Sequence, residues 1–329
     1  MTGQNDAELG RLPEDFLLRL RRIVPSYRLP DVLRSFTLPS AVGFRVNTLR
    51  SDRQLVLASL AAGGLEPHPV PWWDQAFWLP SADRDRLLAS EAYRSGHIYV
   101  QNLSSMIPPL VLDPQPGERV LDLTAAPGSK TLQIAGLMNQ EGEIAAVELV
   151  RARFFKLRDN LRRQGADRVR TFLQDGERVW RYRPEHFDRV LLDAPCSSEG
   201  RFQTADADSY RFWSPRKIAE MTRKQRRLVF SGINALRPGG RLVYSTCAFA
   251  PEENEGAIAH ALETFGDAVE VEPIDLQVEA RVPPLPEWDG RAFPAEVQQA
   301  MRILPDGIME GFFVCSLRKH ASTVPASRR

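Results

Sequence analysis

The chain has 329 residues, of which 43% are hydrophobic and 26% charged, with a net charge of only +1. That balance excludes collagen-like, disulfide-framework and largely disordered chains, and no apolar run is long enough to cross a bilayer. Three cysteines in so long a chain, behind an N-terminus (MTGQNDAELGRLPEDF) without basic or apolar leader character, point to the reducing cytoplasm.

In chain order, residues 13–37 predict helix punctuated by Pro25 and Pro30. FRVNTLR (44–50) predicts a strand with alternating faces, and Ser51 opens a helical run closed by Gly63 and Gly64. The Pro- and Trp-rich stretch that follows predicts turn and strand. Its Trp72, Trp73 and Trp78 suit packing between domains better than base stacking. Residues 1–95 are therefore expected to form a small α+β module, and residues 96–320 the main domain. From about residue 100, strands alternate with helices. The strands are RVLDLT (119–124), EIAAVEL (143–149), RVRTFLQD (168–175), FDRVLLDAP (187–195) and GRLVYSTC (240–247). This alternation predicts an α/β fold with a doubly wound parallel sheet covered on both faces. Residues 266–300, Pro-rich and acidic, predict a surface excursion. GIMEGFFVCSL (307–317) predicts a final strand, and residues 321–329 a disordered tail.

The small net charge hides a segregation. Residues 251–300 carry 12 acidic side chains against 2 arginines, whereas the first 250 residues carry a net +8. The basic excess concentrates in RARFFKLRDNLRR (151–163) and RFWSPRKIAEMTRKQRR (211–227). Such stretches are either solvated helix faces or a surface for a polyanion such as RNA.

Ligands of open α/β sheets sit beyond the carboxyl ends of the strands. The first strand there runs into Thr124, Ala125, Ala126, Pro127, Gly128, Ser129 and Lys130, a small-residue turn that lets backbone approach a ligand closely. It lacks the spacing of a nucleotide phosphate loop. Glu148 ends the second strand, suited to two ribose hydroxyls; Asp175 ends the third, suited to an adenine amino group; Asp193 ends the fourth. Adenosine recognition without phosphate favours S-adenosylmethionine over a nicotinamide dinucleotide.

Cys196 and Cys247 follow strands expected to be neighbours, so both thiols are expected at one cleft. No metal or disulfide spacing is present, and Cys315 reads as a buried small hydrophobe. Methylation at carbon 5 of a pyrimidine requires such a thiol. Addition to carbon 6 makes carbon 5 nucleophilic, an acid such as Asp193 stabilises charge at N3, and a second thiol can assist release.

On these residues the sequence resembles the RsmB/Nop2/Sun family of RNA cytosine-5 methyltransferases. The matching stretches are FRVNTLR, YVQNLSSM (99–106), LDLTAAPGSKT (121–131), LLDAPCSSEG (191–200), RPGGRLVYSTCAFAPEENE (237–255) and RILPDGIMEGFFVCSL (302–317). They come nearest to the catalytic core of RsmF-type ribosomal RNA enzymes. The resemblance implies a Rossmann-like class I methyltransferase sheet behind a small RNA-recognition-motif-like module. It makes Cys247 the nucleophile and Cys196 the group that assists release. Residues Thr124 to Lys130, Glu148, Asp175 and Asp193 would surround S-adenosylmethionine, with Lys130 orienting Asp193 or the substrate. Thr124 stands where many members have cysteine, and Ser129 where many have glycine. RsmF-type enzymes also carry a C-terminal RNA-binding domain that this sequence does not include. The implied partner is RNA, ribosomal or transfer, naked or in a ribosomal subunit. Neither membrane nor metal is implied, and nothing demands more than a monomer. A noncatalytic RNA-binding or ribosome-assembly factor on the same fold is the alternative from another class.

Overall fold

The structure, a computed structural model, describes residues 8–324. Helix α1 (Glu14–Ile23) has acids in its first turn and arginines in its last, matching the helix dipole, and buries Phe16, Leu20 and Ile23 on one face. Helix α2 (Leu29–Ser35) starts with Pro30 in its first turn. The chain then forms β1 (Val42–Val46) and α3 (Arg53–Ala62), which Asp52, one residue beyond Ser51, caps by accepting from Leu55 N. Next come β2 (His68–Val70), β3 (Trp73–Leu79), α4 (Arg84–Ala89), α5 (Glu91–Arg94) and β4 (Ile98–Val100). These strands make an antiparallel sheet in the order β2-β3-β1-β4. It extends past the expected boundary at residue 95, because Val46 pairs with Ile98 and Phe44 with Val100.

Two features of this region escape the sequence pattern. Helices α1 and α2 leave the small sheet and pack on the far half of the chain: Phe16, Leu20 and Phe36 share a core with Phe202, Phe249, Trp288 and Leu304. The module is also tied to the main domain by buried polar contacts. Arg45 donates to Gln101 Oε1 (3.1 Å) and to the carbonyl of Ser129 (3.2 Å), and Asn47 Nδ2 to the carbonyl of Gln164 (2.9 Å). Trp72, Trp73 and Trp78 pack, partly buried, against the main-domain core.

The main domain begins with α6 (Leu103–Leu112), β5 (Arg119–Asp122), α7 (Ser129–Leu137) and β6 (Glu143–Glu148). It continues through α8 (Arg151–Arg163), β7 (Arg170–Leu173), β8 (Phe187–Asp193), α9 (Pro215–Ala235), β9 (Leu236–Thr246) and α10 (Glu255–Phe265). The apolar faces of α6, α7 and α8 cover one side of the sheet, and those of α9 and α10 the other. From β7 through β6, β5 and β8 to β9 every pairing is parallel, as the alternation predicts.

Beyond β9 the expected all-parallel sheet gives way to antiparallel pairing. Strands β10 (Val269–Glu272), β11 (Arg281–Val282), β14 (Met301–Ile303) and β15 (Phe312–Lys319) complete the mixed sheet, with β12 (Glu287–Trp288) and β13 (Arg291–Ala292) paired apart from it, and β15 pairs antiparallel with β9, β10 and β14. No crossover helix separates β14 from β15, so the chain doubles back instead of crossing over. Residues 266–300 are therefore not a surface excursion. Val269 and Val271 of β10 face the core in alternation with glutamates, and Val278, Ala280, Val297 and Ala300 are buried. The tail expected to be disordered from residue 321 is held through residue 324. Thr323 Oγ1 donates to Asn234 (2.8 Å) and Val324 is 3% exposed, while residues 325–329 lie outside the described part.

Candidate active site

The carboxyl ends of β5, β6 and β8, with the turns after β7 and β9, open into one cavity of about 300 Å³. Its lining includes Thr124, Ala126, Glu148, Asp175, Asp193, Cys196 and Cys247. Ala125, Pro127 and Gly128 complete the turn and Ser129 and Lys130 open α7, and these five do not themselves line the cavity. Gly128 has a φ of 108°, and a Cβ there would lie 2.9 Å from Leu157, so both conformation and space call for glycine. Glu148 is buried, with Oε1 accepting from Val150 N (2.8 Å) and Arg153 3.6 Å from Oε2. Asp175 accepts from Glu177 N (3.0 Å). Arg153 from α8 and Lys224 from α9 also line the cavity, so the two basic helices flank its mouth.

Asp193 is held from three sides. Its Oδ2 accepts from Lys130 Nζ (2.6 Å), its Oδ1 from Ser245 Oγ (2.9 Å), and its carbonyl from Thr124 Oγ1 (2.8 Å). Lys130 is almost wholly buried and donates also to Ser105 Oγ (2.7 Å). A lysine fixed in this way orients the carboxylate as a rigid acceptor. Ser105 and Ser245 lie in stretches the sequence singles out, YVQNLSSM and STC, but nothing in their spacing assigns them to Asp193.

The two thiols meet. Cys196 Sγ and Cys247 Sγ are 3.3 Å apart, because β8 and β9 are parallel neighbours with Asp193 beside Ser245 in register. The Cys196 thiol donating to Cys247 lowers the latter below the ordinary thiol range, helped by the Arg201 charge. The same contact, together with burial, pushes Cys196 well up. Arg201, whose charge acts more on Cys247 than on Cys196, makes Cys247 the sulfur readier to ionise. Cys315 is fully buried in β15, where desolvation raises its thiol.

Behind the thiols lies a buried scaffold that sequence reasoning misses. Glu253 accepts from Ser197 N (3.0 Å) and Gln225 Nε2 (2.7 Å), fixing the loop after Cys196. Glu199 accepts from Trp213 Nε1 (2.8 Å) and from the backbone of Phe249 and Ala250 (2.8 and 2.7 Å), fixing the loop after Cys247. Glu255 makes a two-pronged pair with Arg302, both bonds 2.6 Å, while Arg302 also donates to Phe249 O (3.0 Å). Gly200 N donates to Cys247 O (2.8 Å), and a Cβ at Gly200 would lie 2.2 Å from Gly311 O. Glu199 lies in LLDAPCSSEG, and Glu253 and Glu255 in PEENE, stretches that carry the family resemblance without assigning these acids a role.

Burial, with Glu199 nearby, pushes the Glu253 carboxyl up to about 8. A carboxyl raised above its unfolded value contributes stability that is complete at acid pH and is lost as pH climbs through the folded value. The melting temperature is therefore expected to fall between about pH 5 and pH 8, and Glu253→Gln, which cannot ionise, to flatten that slope. A variant retaining the full slope would place its origin elsewhere.

Comparisons with known proteins identify the family. The family model described as 16S rRNA methyltransferase RsmB/F matches residues 109–318. The chain belongs to the RsmB/F family. A second model, the N-terminal domain of the 16S rRNA methyltransferase RsmF, matches residues 12–103. Curated relatives within the family include ribosomal RNA small subunit methyltransferase F of Vibrio atlanticus, 38% identical over 95% of this chain, and that of Cronobacter sakazakii, 40% identical over 95%. This chain spans 65% and 64% of those two proteins. Among solved structures, a methyltransferase homologue from Pyrococcus horikoshii superposes with a TM-score of 0.77 at 33% identity, covering 94% of this chain and 100% of that one. NSun6 from the same organism shares the fold with a TM-score of 0.81 at 21% identity, over 94% of this chain and 98% of its own.

Proposed function

We propose that this chain transfers a methyl group from S-adenosylmethionine to carbon 5 of a cytosine in RNA, with 16S ribosomal RNA as the target class and the cytoplasm as its place of action. The observation that carries the reading is the polarised thiol pair, 3.3 Å apart, in the cavity that Asp193 also lines. A lone thiol can be a packing residue, but two at one ligand cavity match the two phases of a covalent addition and elimination. Membership of the RsmB/F family supports the target class.

The cavity suits the methyl donor chemically. Its carboxylates at Glu148, Asp175 and Asp193 would repel phosphate but accept from ribose hydroxyls and amino groups. When bound, S-adenosylmethionine supplies an electrophilic methyl group. Glu148 would hold the ribose, Asp175 the adenine edge, and residues 124–130 the remainder. Cys247 sulfur adds to carbon 6 of the cytosine, which turns carbon 5 into an enamine-like nucleophile. The proton that Cys247 gives up arrives at N3, and the Asp193 carboxylate, braced by Lys130 and Ser245, accepts from N3–H and so holds the ring in its neutral enamine form. After methyl transfer the carbon 5 proton passes to solvent, the sulfur–carbon bond breaks to restore the ring double bond, and N3 gives up its proton. Cys196, in contact with the departing Cys247 sulfur, assists this release. The target base must leave its stack to reach a thiol set inside the cleft.

Tritium release from RNA labelled at carbon 5 of cytosine tests the reading, with small ribosomal subunits and bulk transfer RNA offered separately. Release from the subunit supports it; release from transfer RNA alone moves the target class, and release from neither favours a noncatalytic factor. RNA binding is assigned to the exposed basic faces of α8 and α9. Alanine at Arg151, Arg158, Lys217 and Arg223 is expected to weaken RNA binding and to lower its salt dependence by about one unit of slope for each phosphate left unneutralised. Methyl-donor affinity should stay constant. Unchanged RNA affinity and salt slope would remove these helices from the interface.

A further inference from the structure

The thiol pair has a chemistry that needs neither RNA nor methyl donor. We propose that Cys196 and Cys247 are a reversible modification site, closing to a disulfide in the presence of a hydroperoxide and reopening with a dithiol. Three observations carry this. The sulfurs are 3.3 Å apart, against the roughly 2.05 Å of a disulfide, so about 1.3 Å of approach suffices. Both residues lie beyond the ends of their strands, at Asp193 and Thr246, so rotation of the two side chains can close that gap while the sheet and the fixed loops stay in place. Both line the open cavity, so a small oxidant reaches them, whereas Cys315 is sealed in the core.

The steps balance. Cys247 sulfur, the partner that ionises more readily, attacks one peroxide oxygen. The O–O bond breaks, the departing oxygen leaves as water after protonation, and Cys247 becomes a sulfenic acid. Cys196 sulfur then attacks the Cys247 sulfur and gives up its proton, and the sulfenic oxygen departs as a second water. Two thiols and one hydroperoxide become one disulfide, water and the reduced peroxide fragment. A dithiol returns two electrons and two protons and becomes a disulfide itself. The neighbouring resolving thiol halts oxidation at a reversible stage. It also removes the nucleophile assigned to methyl transfer, although the chemistry stands without that assignment.

The test is a thiol map of the full chain. After a brief exposure to hydrogen peroxide and quenching with an alkylating agent, free thiols are expected to fall from three to one. Proteolysis should yield a linked peptide pair containing Cys196 and Cys247, with Cys315 alkylated, and dithiothreitol should restore all three. A Cys196→Ser variant should yield no linked pair and instead accumulate a sulfenic acid on Cys247 that dimedone captures. Three alkylatable thiols after peroxide would overturn the proposal. So would sulfinic acid on Cys247 beside a free Cys196, or a bond to Cys315. The wild-type peptide map decides the matter even where the variant folds poorly.

Discussion

Replacing Cys247 with alanine is expected to abolish tritium release, a loss of several orders of magnitude, because the sulfur assigned to the carbon 6 adduct is gone and Cys196 is the harder of the two thiols to ionise. Cys196→Ala is expected to behave differently. It removes the donor that lowers the Cys247 thiol, so adduct formation should move to higher pH and slow at neutrality. Once formed, the adduct lacks the thiol that assists release. RNA should therefore accumulate on the protein as a complex that survives denaturation. The two sulfurs touch and line the same cavity, so proximity alone does not separate their roles. The asymmetry between them makes the separation testable. A variant pair with reversed behaviour, in which Cys247→Ala traps RNA and Cys196→Ala is inert, would exchange the assignments.

The second large effect is on stability. Arg302 and Glu255 are 4% and 0% exposed, with a two-pronged bond between them. Arg302→Met leaves a carboxylate buried with no compensating charge, at a cost of about 3–5 kcal/mol. Removing both charges, as in Arg302→Met with Glu255→Leu, should recover part of that loss, since a buried pair can be replaced by apolar side chains at little net cost. Recovery should be incomplete: Leu285 N donates to Glu255 and Arg302 donates to Phe249 O, and the double variant leaves both backbone groups short of a partner. Denaturant midpoints for the single and double variants check this. Equal losses in the two would show that packing, not charge, governs the site. Phe249 lies two residues beyond Cys247, so the damage should also reach the thiol loop.

The functional edge of the sheet was legible because its signals are local. A carboxylate or thiol within a few residues of an apolar strand end is placed by the strand alone, so Glu148, Asp175, Asp193, Cys196 and Cys247 could all be located from their own segments. Lys130 was legible as a member of the turn but not as the residue that holds Asp193, since that contact spans 63 positions. The scaffold under the thiols was not legible at all. Nothing local marks Glu199, Glu253 and Glu255 as buried, and it is partners remote in sequence, among them Trp213, Gln225 and Arg302, with backbone donors, that make burial tolerable. The antiparallel half of the sheet was missed for a related reason. Residue alternation in VEVE is visible, but the direction in which a strand enters a sheet is set by the connection before it. In a stretch dense with proline and acid, that connection reads as loop.

Helix α1 has a consequence for the order in which this molecule assembles. Phe16 finds its partners at Phe36, Phe202, Trp213 and Phe249, and Arg22 lies over the ring of Trp288. On a growing chain, the apolar face of α1 meets Phe36 early but is fully covered only after Phe249 and Trp288 have been made. Contacts of such sequence separation bring no gain until a long loop has closed, and they slow folding accordingly. The segments that carry the two thiols end at the same late-forming core, through Phe202 and Phe249. The loops that frame the thiols thus gain part of their packing only when α1 meets residues made about 200 positions later.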